Sequence, residues 1–180
     1  MITVLSGTNR PGSNTLRFAR HYVDQLRTLG QPDVRLLDLA AIDYAAFHRE
    51  MYSPDDMHPT LRRLQEEFIL PADRLVLLAP EYNGSYPGVL KLFIDGISVY
   101  EYPRIFGGKR VALVGIASGR AGNLRGMDHL ADTIAHMGGW VLPRRLPLSG
   151  VDALVDEAGT LTDTATVDAL LQQAQELIDA

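Results

Sequence analysis

The feature that most constrains the fold is an uninterrupted apolar segment, residues 75–79, followed by a polar loop and an amphipathic segment. A strand without polar alternation is typical of a parallel sheet that is covered on both faces. Pro80 ends the strand, and the loop at 80–88 leads into apolar residues at helical spacing. A strand, a loop and a helix N-terminus in this order predict a ligand site at the carboxyl edge of an open α/β sheet.

The rest of the chain repeats this alternation. Four further strands are predicted at residues 1–5, 34–39, 109–117 and 140–143, and four further helices at 14–29, 59–70, 124–137 and the C-terminus. With no internal repeat or linker, these elements predict a single flavodoxin-like domain over residues 1–180. We expect a doubly wound α/β fold whose five-stranded parallel sheet has the order 2-1-3-4-5, with helices on both faces.

Three local expectations accompany this fold. Trp140 is expected in the core, and Thr162 is expected to cap the C-terminal helix. Residues 40–58 are expected to form a long surface excursion, which in many proteins acts as a lid.

Composition excludes several classes of protein. The chain has 180 residues, 46% of them hydrophobic, no cysteine and a net charge of −5. It can bury a full core without disulfides, and it has no thiolate for catalysis or metal binding. His129 and His136 share a predicted helix face without a third ligand, so we expect no metal. With no membrane-length apolar run, no basic signal region and no basic surplus, we expect a cytoplasmic protein without membrane or nucleic-acid partners.

Two more loops follow predicted strands. The loop at residues 6–15 has neither the G-x-G-x-x-G spacing of dinucleotide folds nor the G-K-[ST] ending of a P-loop. Its hydroxyls, its free N–H groups, Arg10 and the next helix N-terminus suit a phosphate bound without metal. An ordinary capped helix after a polar turn explains the same residues equally well.

The third loop, residues 118–123, is rich in small residues. In the predicted sheet order the loops after strands 1, 3 and 4 are neighbours. One loop suits a phosphate and the other two suit a flat ring, so together they fit a mononucleotide such as FMN.

Three motifs resemble those of the NAD(P)H-dependent FMN reductase family, which includes flavin, quinone, azo-dye and chromate reductases. Residues 6–14 resemble its G-S-x-R-x-x-S-x-N phosphate loop, residues 80–91 its P-E-Y-N-x-S-x-P-G-x-L-K signature, and residues 118–122 its glycine-rich flavin loop. Two departures stand out. Ser13 and Asn14 are adjacent where many members separate them, and Gly96 stands where many members have tryptophan.

The resemblance implies that FMN binds at the three loops. It implies phosphate contacts from Arg10, Ser13, Asn14 and Thr15, with Ser6 or Thr8 also lining the loop. It implies ring contacts from Pro80, Glu81, Tyr82, Asn83, Ser118 and Gly119. Hydride would pass from NADPH or NADH to the flavin and electrons on to a free flavin, quinone or similar small-molecule acceptor, without a catalytic side chain of the protein.

Two questions stay open between alternatives. A flavodoxin-type electron carrier would also bind FMN, without NAD(P)H oxidation. The apolar residues that follow the second loop's helix indicate a homodimer or homotetramer, as the resemblance also implies, unless they pack on their own domain. These residues are Ile97, Val99, Tyr100, Tyr102, Ile105 and Phe106.

Overall fold

The computed structural model describes residues 1–180, which are organised around one parallel sheet. Its strands are β1 (Ile2–Ser6), β2 (Val34–Asp38), β3 (Arg74–Pro80), β4 (Arg110–Ile116), β5 (Trp140–Val141) and β6 (Leu146–Leu148). The sheet order is β2-β1-β3-β4-β5, and every pairing is parallel. The predicted fold class and sheet order are therefore confirmed.

The edge of the sheet beside β4 differs from the prediction, because it consists of two short strands. β5 pairs with Arg110 and Val111, and β6 pairs with the end of β4. Pro143 lies in the gap between them, where its missing N–H cannot join a ladder. The expectation that Trp140 lies in the core was wrong: the side chain is 64% exposed. Its ring lies 5.1 Å from the guanidinium of Arg110.

Helices cover both faces of the sheet. They are α1 (Asn14–Thr28), α2 (Pro59–Leu64), α3 (Gly88–Ile97), α4 (Tyr102–Ile105), α5 (Leu124–His136) and α6 (Thr164–Asp179). α1 and α6 pack on one face, and α2, α3 and α5 pack on the other. α2 continues directly into a π-helical turn, Gln65–Ile69. None of the helices combines the length and apolar character that crossing a bilayer requires.

The segment between β2 and α2 is packed down on the sheet. Two 3₁₀ turns interrupt it, Leu39–Ala41 and Tyr44–Ala46, and Met51 and Met57 are buried in the core. The expectation of a surface excursion was therefore wrong for these side chains. Gly96 allows the close approach of α2, because a Cβ there would lie 2.8 Å from Cδ1 of Leu61.

The start of α6 also differs from the prediction. Its N-cap is Asp163, whose carboxylate accepts hydrogen bonds from the N–H and the hydroxyl of Thr166. These hydrogen bonds lower the pKa of Asp163, because they favour the charged form. Thr162 instead directs its hydroxyl towards the carbonyl of Leu154 at 3.4 Å, so its assignment as the cap was wrong.

A buried amide joins α6 to the sheet. Gln173 is fully buried, and its Nε2 donates to the carbonyls of Leu113 and Arg144 at 3.1 and 2.9 Å. Its Oε1 accepts a hydrogen bond from the hydroxyl of Tyr22 in α1 at 3.2 Å. One side chain thus satisfies polar groups from three elements inside an otherwise apolar layer.

We predict that Gln173→Leu lowers the free energy of unfolding by about 2–4 kcal/mol, because it leaves several buried polar groups without partners. Urea denaturation followed by circular dichroism measures the loss. Gln172→Leu is the matched control, since Gln172 is the exposed neighbour on the same helix. Equal midpoints for the two variants would show that the buried amide contributes nothing.

Candidate functional site

Two adjoining cavities lie at the carboxyl edge of the sheet, with volumes of about 460 and 310 Å³. Glu81, Ala117 and Ser118 line both. The larger cavity brings together nine predicted site residues: Thr8, Arg10, Ser13, Asn14, Thr15, Pro80, Glu81, Tyr82 and Ser118. The smaller one adds Asn83 and Gly119. Ser6 lines neither cavity, because it is the fully buried last residue of β1 and its hydroxyl has no hydrogen-bond partner.

The first loop presents hydrogen-bond donors to the larger cavity. Ser13 caps α1, and its Oγ accepts the N–H of Leu16 at 3.2 Å. The N–H groups of Asn14 and Thr15 precede the first bonds within the helix and have no protein acceptor. The guanidinium of Arg10 lines the same cavity and forms no ion pair. The loop is thus both a capped helix start and a set of free donors, as an anion requires.

Sequence reasoning missed Arg17 and Asp152, which also line this cavity. Asn14 joins them: its Nδ2 donates to Oδ1 of Asp152 at 2.7 Å, and its Oδ1 accepts from Nη1 of Arg17 at 3.0 Å. Arg17 could have been predicted from its position one turn after Asn14 on the same helix face. No local pattern reveals Asp152, which lies 138 residues from Asn14. The side chains that line the cavity include two arginines, Arg10 and Arg17, and two carboxylates, Glu81 and Asp152. The preference for an anion therefore depends on the free N–H groups and on Arg10, which has no ion-pair partner.

A tight hairpin shapes the second loop. Tyr82 and Ser85 exchange two backbone hydrogen bonds of 2.9 and 3.1 Å. The two residues between them, Asn83 and Gly84, have φ angles of 54° and 75°. Positive φ at both central positions defines a type I′ turn, for which Asn-Gly is the favoured sequence. The turn leaves Tyr82 in the wall of the larger cavity, where its hydroxyl lies 2.9 Å from that of Thr8.

Asn123 ties the third loop to the second. Its Nδ2 donates to the carbonyls of Ala79 and Pro80 at 2.9 and 3.1 Å, and its N–H donates to Oε2 of Glu81 at 3.3 Å. Its φ of 60° is the left-handed conformation, which asparagine adopts more readily than most residues. Sequence reasoning missed this residue as well.

Two residues of the second motif point away from the cavities. Tyr86 packs against the core, with its hydroxyl 3.4 Å from that of Thr133 in α5. Lys91 forms an ion pair with Asp95 at 2.7 Å, and this partner raises the pKa of Lys91. Tyr86 therefore braces the loop against α5, whereas Tyr82 lines a cavity.

This sheet order, with its cavities at the carboxyl edge, is that of a flavodoxin-like protein. The family model described as NADPH-dependent FMN reductase matches residues 1–152. The chain belongs to this family, and it is an NAD(P)H-dependent oxidoreductase that uses FMN.

Individual relatives agree with this assignment. The chain is 34% identical over 145 residues to an NAD(P)H-dependent FMN reductase of Pseudomonas aeruginosa, with 78% of this chain and 76% of that protein covered. It is 29% identical over 160 residues to an FMN-dependent NADPH-azoreductase of Staphylococcus haemolyticus, with 88% and 81% covered. The solved structure of FerB, an NAD(P)H:(acceptor) oxidoreductase of Paracoccus denitrificans, superposes with a TM-score of 0.73, 21% identity and coverage of 99% and 94%.

The donors in the two cavities fit FMN. The larger cavity supplies the unpaired Arg10 and free N–H groups, which suit a phosphate. The smaller cavity is lined mostly by small side chains and backbone of residues 117–121 and by the Asn-Gly turn, which allow a flat ring to approach closely.

We predict that Arg10→Ala weakens FMN binding about 10- to 100-fold, since it removes a charge-assisted contact to the phosphate. Riboflavin, which has no phosphate, should bind both proteins equally. Fluorescence titration of apo-protein measures both affinities. Arg20→Ala is the control, because Arg20 is exposed on α1 and lines neither cavity. An equal loss of affinity for FMN and riboflavin would rule out the phosphate role.

Proposed function

We propose that residues 1–180 act as a single FMN-binding domain that takes hydride from NADPH or NADH and passes the electrons to a small planar acceptor. Free flavin, a quinone or an azo compound would fit this description. The observation that carries the proposal is the junction of the two cavities at Glu81, Ala117 and Ser118. This junction supports a phosphate site beside a ring site, in which the bound ring would stay accessible to a second molecule.

The roles of the protein groups follow from the donors that they present. Arg10 and the first turn of α1 would hold the phosphate, together with Thr15. The second and third loops would hold the ring edge, and the bonds of Asn123 keep those loops in register. Bound FMN would supply the hydride and electron chemistry. The protein side chains therefore position the reactants, and no acid, base or nucleophile of the protein is assigned.

The class of acceptor is supported by relatives and by charge. The Staphylococcus haemolyticus relative is an azoreductase, so a small flat acceptor is consistent with the family. A flavodoxin-type carrier is the less favoured alternative. Its protein partners would need a surface that steers docking through charge of one sign. The surface charge of this chain is mixed instead, with 17 basic and 22 acidic residues.

We predict ping-pong kinetics, because donor and acceptor both have to reach the ring from the open side of the smaller cavity. NADPH or NADH should bleach the yellow protein anaerobically, and a quinone added after the oxidised dinucleotide is removed should restore the colour. Initial rates at several acceptor concentrations should give parallel double-reciprocal lines. Intersecting lines would overturn the ping-pong mechanism, and a protein that does not bleach would overturn the proposed function.

We further propose that the protein is a cytoplasmic homodimer or homotetramer. Five of the six residues that first indicated assembly do not support it: Ile97, Ile105 and Phe106 are buried in their own core, and Val99 and Tyr100 pack against it. The proposal now depends on large apolar side chains that remain exposed, namely Tyr44, Tyr52, Leu92 and Tyr102. The cytoplasm is proposed because it holds the pool of reduced nicotinamide dinucleotides that the enzyme uses.

We predict that light scattering at micromolar concentration gives at least twice the mass of 19.8 kDa. Leu92→Glu should shift the protein towards the monomer, since it places a charge on an exposed apolar position of α3. Trp140→Gln is the control, because Trp140 is more exposed than Leu92, at 64% against 37%, but lies on the edge strand. A monomer for the unmodified protein would contradict the proposed assembly.

A further inference from the structure

Most arginines of this chain have partners, and three of the five without one, Arg10, Arg120 and Arg125, stand at the cavities. Arg104, Arg144 and Arg145, for example, form ion pairs with glutamate or aspartate. Arg120 and Arg125 form neither an ion pair nor a side-chain hydrogen bond. Because the chain carries a net charge of −5, carboxylates are available, and these two cations nevertheless remain unpaired.

Both arginines stand at the smaller cavity. Arg120 belongs to its lining. Arg125 reaches it across the Asn-Gly turn: its Nη1 lies 2.9 Å from the position that a Cβ of Gly84 would occupy, and Gly84 is itself in the lining. Any side chain at Gly84 would displace this guanidinium. Gly84 therefore leaves room for the guanidinium of Arg125 and also adopts the positive φ that the turn requires.

No carboxylate nearby forms an ion pair with either arginine. Asp128, one turn beyond Arg125 on α5, is paired with Arg145. Glu81 is the acidic residue in the lining, and its Oε2 already accepts the N–H of Asn123. Arg125 is the second residue of α5 and lies at the positive end of the helix dipole, where a cation is unfavourable without an anion nearby. The first turn of α5 contains no acidic residue that could supply this anion.

From these observations we infer that Arg120 and Arg125 form an anion subsite beside the ring cavity, which binds a phosphate group of the dinucleotide donor. Guanidinium groups match phosphate oxygens with paired hydrogen bonds. Every reduced nicotinamide dinucleotide carries phosphates, whereas a planar acceptor need not be charged. The inference rests on the proposed function and deepens it, because the two arginines would select the donor. Arg10 and Arg17 lie at the larger cavity and are not part of this subsite.

Calorimetric titration of the FMN-loaded protein tests the subsite without turnover. The two probes are 2′,5′-ADP, which carries the 2′-phosphate of NADPH, and ADP, which carries the diphosphate common to both donors. Each of Arg120→Ala and Arg125→Ala should weaken binding of at least one probe about tenfold, and the double variant more. Arg20→Ala, which removes an exposed and equally unpaired arginine, should leave both affinities unchanged.

The two probes distinguish the source of the phosphate. A loss confined to 2′,5′-ADP assigns the subsite to the 2′-phosphate and predicts that the KM for NADPH rises while that for NADH stays constant. Loss of both probes assigns it to the diphosphate. Unchanged affinities, or a wild-type protein that binds neither probe at millimolar concentration, would overturn the subsite.

Reoxidation of the reduced protein by an acceptor is measured separately. If the arginine variants slow only the reoxidation by a sulfonated azo dye, the anion belongs to the acceptor and the inference is wrong. If the wild-type protein is not bleached by NADPH or NADH, the proposed function fails, while the calorimetry still reports on the two arginines.

Discussion

The hydrogen bonds of Asn123 at the end of β3 are the interaction on which the site depends. β3 is the central strand, and the chain leaves it through the loop that lines both cavities. The carbonyls of Ala79 and Pro80 lie at the carboxyl end of β3, and both accept hydrogen bonds from the buried amide of Asn123. Without that amide, the hydrogen bond from the N–H of Asn123 to Oε2 of Glu81 would be left to link the second and third loops at this point.

The same principle recurs at the other junctions of the site. A contact between the hydroxyls of Thr8 and Tyr82 joins the first loop to the second. Asn14 joins the first loop to Asp152, which lies between β6 and α6. A loop alone loses much conformational entropy when it is ordered, and paired polar groups between loops offset part of that loss. The cavities are therefore held open by contacts between loops as well as by the rigid sheet beneath them.

The fold followed from sequence wherever a signal was local. The apolar run of β3 and the helical spacing after it identify one strand, one loop and one helix, and the sheet order followed from this alternation. The edge strand was predicted less well. Two short strands, separated by Pro143, pair with different parts of β4, and the local sequence does not reveal this pairing. Eleven of the twelve predicted site residues line a cavity, with Ser6 as the exception. Asn123 was missed because its partners lie 43 and 44 residues away.

The broken edge strand has a consequence for solubility. An exposed edge with regular free N–H and C=O groups can recruit a strand from another molecule and begin aggregation. Here β5 has two residues and β6 three, one of which is Pro147. Pro143 occupies the gap between them, so this edge of the sheet presents no long ladder to a neighbouring chain. Copies of this protein are thereby steered away from strand pairing at this edge of the sheet.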